Sequence, residues 1–119
     1  MEAGTIFTHK KYDDVVVVKI NISRATMDSA PQFRNYLIKL IEDGDKKFII
    51  DLSFCDFLDS SFLGSMVASL KKIRSLKGNL VIVNNKEVPA GILSLTNLDR
   101  VFQIYQTVEG AVIAYRQNS

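Results

Sequence analysis

A short apolar run, Phe48-Ile49-Ile50-Asp51-Leu52, is followed a few positions later by two adjacent hydroxyls, Ser60-Ser61, and then by apolar residues at helical spacing. The run is what a central strand shows when both of its faces are covered. Leu63, Met66, Val67, Leu70 and Ile73 form one stripe of an amphipathic helix. A chain organised this way packs helices on a sheet, with Ser60 and Ser61 where strand gives way to helix. Side chains at such a junction face solvent, and the first N–H groups of the helix lack partners inside it. A hydroxyl there can cap the helix, act as a nucleophile, or receive a phosphate from another enzyme.

The remaining pattern extends the same architecture. Thr5 to Tyr12 reads as a first strand, Asp13-Asp14 as a turn, and the β-branched run Val15 to Ile20 as a second, antiparallel strand. A polar loop covers Asn21 to Asp28. A helix follows with Ala30, Phe33, Leu37, Leu40 and Ile41 on one face, and Ser29 with Gln32 has the spacing of a capping box. Pro31 fits a first turn, and Asp43-Gly44-Asp45 ends the helix. After the Ser60 helix, Gly78 is a stop and Leu80 to Val83 a further buried strand. Val88 to Thr96 reads as a short helix and Val101 to Tyr105 as the last strand. Thr107 reads as the cap of a closing helix that aligns Val108, Ala111, Val112 and Tyr115. Strands separated by helices pair in parallel through right-handed crossovers. The expectation is one α/β domain spanning residues 1–119, with a mixed, mostly parallel sheet of about five strands and about four helices.

Composition removes several classes of function. A formal charge of +2 is small, and Lys and Arg never run beyond pairs such as Lys10-Lys11, so no nucleic-acid partner is expected. The apolar stretches are far shorter than a bilayer span, and the N-terminal residues show no signal-peptide core, so neither membrane insertion nor export is expected. The one cysteine, Cys55, cannot form an intrachain disulfide and reads as a small buried hydrophobe, in keeping with the cytoplasm. The one histidine, His9, has no second ligand at metal-binding spacing and reads as a surface residue. No metal or cofactor is expected.

Catalysis by Ser60 finds no support in its neighbours. A nucleophile elbow needs glycines two places either side of the serine, but Leu58 and Phe62 flank Ser60, and Asp59 and Leu63 flank Ser61. His9, the one imidazole, lies some fifty positions earlier on a peripheral strand. Asp51, Asp56 and Asp59 read as capping and solvating the sheet end, and the six glycines form no phosphate-binding loop.

The run Ile50-Asp51-Leu52-Ser53, then Phe57-Leu58-Asp59-Ser60-Ser61, then Leu63-Gly64, resembles the signature of bacterial anti-sigma-factor antagonists, the STAS-domain proteins (sulfate transporter and anti-sigma antagonist). The resemblance covers nearly the whole chain, including Leu95-Thr96-Asn97-Leu98-Asp99 before the last strand. It implies a non-enzymatic binding protein that sequesters an anti-sigma factor, itself a serine kinase, and is released by phosphorylation at Ser60. A serine phosphatase would reset the system. Ser61 is the fallback phosphosite and otherwise a helix cap. The chain departs from the family pattern at Phe62, where the family has Gly, and at Thr26, where the family has the Asp associated with phosphorylation.

Loops that follow parallel strands gather at one end of the sheet, so Thr26, Met27 and Asp28 are expected beside Ser60. With Asp59, Ser60, Ser61, Phe62, Leu63 and Gly64 they form the expected partner-binding set. Two positions stay open. Phe62 either closes the edge of the core or anchors the partner, and Met27 is either a contact residue or a staple onto the first helix. The alternative function is a stand-alone STAS module of another signalling or lipid-transport complex, without phospho-regulation. A small hydrolase using Ser60 is the remaining one.

Overall fold

The computed structural model describes residues 6–85 and 100–117. In chain order these form β1 (Phe7–Tyr12), β2 (Val15–Ile20), β3 (Arg24–Ala25), α1 (Ala30–Glu42), β4 (Lys47–Asp51), β5 (Phe57–Leu58), α2 (Ser60–Ser75), β6 (Asn79–Val83), β7 (Ile104–Tyr105) and α3 (Val108–Gln117). Five strands make one sheet in the order β1-β2-β4-β6-β7. β1 and β2 pair antiparallel as a hairpin, and every other neighbouring pair is parallel. The hairpin turns at Asp13, whose φ of 59° is a conformation that Asp tolerates better than most residues.

The unbroken apolar runs of β2, β4 and β6 are explained by what lies on each side. Val16, Val18, Ile20, Phe48, Ile50, Leu80 and Ile82 pack with α1 and α2 in one core. Val15, Val17, Ile49, Val81 and Val83 pack with Ala111 and Val112 of α3 in the other. Alternate residues of these stretches thus enter opposite layers, so both faces are apolar there. The Tyr115 hydroxyl pins α3 across the sheet by donating to the Phe48 carbonyl at 2.9 Å. Burial pushes that phenol's pKa up, further above neutral pH than an exposed tyrosine's.

The strands at 15–20 and around 48–52, the helices after Ser29 and Thr107, and the five-stranded mixed sheet agree with expectation. Thr107 Oγ1 accepts the Gly110 N–H at 3.0 Å, the cap its position implied. Gly44, at φ 101°, ends α1. The short helix expected at 88–96 lies outside the described residues, among which there are three helices of ordinary length.

Three local expectations are corrected. Ser29 precedes α1 but forms no capping box, because its backbone is already helical (φ −105°, ψ −7°) and its hydroxyl instead closes a turn by donating to the Thr26 carbonyl at 3.1 Å. The last strand is only Ile104–Tyr105, because Phe102 turns into the core and is 2% exposed. The loop at 21–28 contains β3, a two-residue strand too short to leave a periodic signal.

Phe62 is fully buried (0% exposed), with its ring centroid 4.9 Å from that of Phe33 across the α1–α2 contact. Phe62→Ala should therefore cost about 3–5 kcal/mol in urea unfolding. A loss below about 1 kcal/mol would mean that the ring contributes little to this core.

Candidate functional site at the strand ends

A small second sheet builds the site. β3 and β5 pair in parallel, Arg24 opposite Phe57 and Ala25 opposite Leu58. The Ser23 carbonyl accepts the Asp56 and Phe57 N–H groups at 2.7 and 3.0 Å, and the Ala25 carbonyl accepts the Asp59 N–H at 3.1 Å. This ladder zips the loop after β2 to the entrance of α2. The Arg24 guanidinium lies 4.3 Å from the Phe57 ring centroid and covers the outer side of the pairing.

Asp59 caps α2. Its backbone is extended (φ −92°, ψ 173°), and its Oδ1 accepts the Phe62 N–H at 2.8 Å. Its Oδ2 accepts the Met27 N–H, also at 2.8 Å. One carboxylate thus binds an amide from each of two segments. The cap role left open for Ser61 falls to Asp59, since only the non-helical residue before the first turn can fold its side chain back onto the third helical N–H.

Ser60 and Ser61 are the first two helical residues, and both are exposed. Gly64, one turn on, is exposed too, and a Cβ built on it would meet nothing within 4 Å. Across the Asp59 bridge, Met27 is 66% exposed, which removes the alternative of a staple onto α1. Asp28 is exposed beside it, and Thr26 is half-buried with its hydroxyl accepting the Asp28 N–H at 3.3 Å. The structure therefore brings Thr26, Met27, Asp28, Asp59, Ser60 and Ser61 together at the carboxyl end of the sheet.

Phe62 and Leu63 leave the expected docking set as a surface. At 0% and 4% exposed they belong to the core, because the third and fourth helical positions are those that α2 turns toward α1 and the sheet. Ser65 and Ser69 are buried as well, with the Ser69 hydroxyl returned to the Ser65 carbonyl at 2.8 Å. The outward face of α2 carries Ser61, Gly64, Ala68, Lys71 and Lys72. Ser53 donates its hydroxyl to the Asp51 carboxylate at 2.6 Å.

Among the described residues no imidazole is hydrogen-bonded to Ser60 or Ser61. His9 sits exposed on edge strand β1, bonded to the Tyr36 hydroxyl of α1 at 2.6 Å. Cys55 is buried, as expected, and its thiol donates to the Phe57 carbonyl. Among the described residues no three His, Cys, Asp or Glu side chains are grouped so as to hold a metal. Sequence reasoning missed Phe54, a 56% exposed ring on the β4–β5 loop with the Lys19 ammonium 4.3 Å from its centroid. A lone aromatic in a loop leaves no periodic signal.

The profile of the STAS domain family matches residues 7–111. The chain belongs to the STAS domain family. A Thermotoga maritima protein to which an anti-sigma factor antagonist role is ascribed is 34% identical over 113 residues, covering 94% of this chain and 99% of that protein. The crystal structure of a Thermotoga maritima protein ascribed the same role superposes with a TM-score of 0.87 at 33% identity, covering 96% and 97% of the two chains. That of an anti-sigma factor antagonist from Mycobacterium paratuberculosis superposes with a TM-score of 0.84 at 26% identity, covering 92% of each. Among the described residues of this STAS domain no helix is long and apolar enough to cross a membrane.

Because the cap is a carboxylate on Asp59 and not a hydroxyl, Asp59→Ala should destabilise the domain by about 1–2 kcal/mol. Ser61→Ala should stay within about 0.5 kcal/mol of the parent. Paired thermal or urea melts check this, and the reverse order would return the cap to Ser61.

Proposed function

We propose that this STAS domain is an anti-sigma factor antagonist: a non-catalytic binding protein of the cytoplasm that sequesters an anti-sigma factor with serine-kinase activity. Phosphorylation of Ser60 releases that partner, and a serine phosphatase restores binding. The observation that carries the reading is an exposed Ser60 at the mouth of α2, the position that the resemblance implies is phosphorylated, beside the β3–β5 ladder and the Asp59 cap.

The physics of the switch follows from that position. A phosphate adds a charge of about −1.5 to −2. At the first turn it meets unpaired N–H groups and the positive end of the helix dipole, so the domain stays folded. What changes is the surface. Burying the dianion against a partner that had met a neutral hydroxyl costs several kcal/mol, and about 1.4 kcal/mol already weakens binding tenfold.

Gly64 supports a partner docking on this face. A glycine inside a helix costs about 0.5–1 kcal/mol relative to alanine. Here neither a positive φ nor a neighbouring atom requires it. An exposed side chain that is absent without internal reason fits the close approach of another backbone to the outer face of α2.

The test combines the protein with ATP and the serine kinase encoded nearest to it, with the phosphate mapped by mass spectrometry. Ser60→Ala should remain unmodified and still capture the kinase, whereas the phosphorylated parent should lose at least about tenfold in affinity. Absence of any phosphate, with the kinase still bound, would favour a STAS module of another complex. Thr26, in the position of the family's Asp, is the feature that favours that second reading. Gly64→Ala should raise the melting temperature while weakening partner binding. If affinity is unchanged, the outer face of α2 is not the docking surface.

A further inference from the structure

The Asp59 carboxylate is shared between two segments, and Ser60 is its immediate neighbour. Phe62 N–H occupies Oδ1 and Met27 N–H occupies Oδ2, each at 2.8 Å. The β3–β5 ladder ends with Asp59 N–H on the Ala25 carbonyl. Beyond that rung, Asp59 Oδ2 is what joins the exposed Met27 to the α2 entrance. Resting on the function proposed above, we propose that Asp59 is a positioning residue. It holds the Met27 loop in its docking arrangement while Ser60 is unmodified, and lets that loop go when Ser60 is phosphorylated.

Phosphorylation puts a second anion beside Asp59. The γ-phosphoryl group of ATP passes to Ser60 Oγ: the new O–P bond replaces the bond to ADP, and the hydroxyl proton leaves to a kinase base. The product is a dianion one residue from Asp59, at a terminus with few N–H groups to offer. Two anions then stand at one helix start, the phosphate among the unpaired N–H groups of the first turn and the carboxylate on the Phe62 N–H. The phosphate carries the larger charge and three acceptor oxygens, so it takes the helix terminus and repels the carboxylate. Asp59 can leave Phe62 only by rotating its side chain. Because both oxygens are on one rigid carboxylate, that rotation also withdraws Oδ2 from Met27. Phosphorylation would thus be felt on the loop after β2 as well as at Ser60, and the partner would lose its Met27 contact along with the neutral hydroxyl.

The test uses nitrogen-15-labelled full chain with phosphoserine placed at position 60 during translation, so no kinase is needed. In the phosphorylated protein the Met27 amide resonance should move upfield and its solvent exchange should accelerate roughly tenfold or more, as expected for a lost bond to a charged acceptor. The Phe62 amide should stay protected, since phosphate replaces carboxylate there, and the Ile50 amide in β4 should report an intact fold. Unphosphorylated Asp59→Asn should retain one carbonyl acceptor for the cap and lose the one for Met27. It should therefore reproduce the Met27 change and weaken partner binding without any charge at Ser60. A Met27 amide unmoved by phosphorylation overturns the clasp, whatever the partner does. If the partner is nonetheless released, the switching function stands without it. If the phosphorylated protein keeps its partner, the switching function fails and the Met27 amide alone still judges the clasp.

Discussion

The central strands β2, β4 and β6 are buried on both faces, and the rest of the molecule follows from that burial. A strand with two apolar faces needs a helix layer on each side, and parallel neighbours need long crossovers that supply those helices. The same geometry sends the chain out of every parallel strand at one end. The loop after β2 and the loop after β4 therefore emerge side by side, and the β3–β5 ladder joins them. The place of the candidate site is a consequence of sheet topology before any functional residue is considered.

Helix α2 divides two roles between its faces. Phe62, Leu63, Met66, Leu70 and Ile73 enter the core, while Ser61, Gly64, Ala68 and Lys71 face outward. The buried face fixes the helix against α1 and the sheet, the Phe62–Phe33 contact included. That frees the outer face to vary in shape and charge with little effect on the fold. A modification on the first turn falls on this outer face and at the positive end of the helix dipole, where added negative charge is favourable. The core contacts of the helix thus lie on one face and its exposed residues on the other.

The family and the five-stranded architecture were legible in the chain because both rest on short-range pattern. The alternation that places Val16 and Val18 opposite Val15 and Val17, and the helical stripe from Leu63 to Ile73, need nothing beyond local spacing to be read. The exposure of Ser60 and the approach of Thr26–Asp28 to it were legible too, from where a strand ends and which loops share an edge. The readings that failed turned on which partner a side chain takes, whether in a distant segment or in the adjoining turn. Phe62 looked equally fit for rim or interior until α1 supplied Phe33, and Ser29 had capping-box spacing until the Thr26 turn claimed its hydroxyl.

Local sequence thus determined the four longer strands and the helices after Ser29, Asp59 and Thr107, that the sheet has helices on both sides, and that a hydroxyl stands at the mouth of α2. Only tertiary structure decided that Asp59, and neither serine, caps that helix, that its second oxygen reaches across to Met27, and that Phe62 is interior. The reason is physical. Periodicity is set by a residue's own backbone, whereas the partner of a carboxylate or an aromatic ring is set by whichever distant segment folding brings within about 3–5 Å.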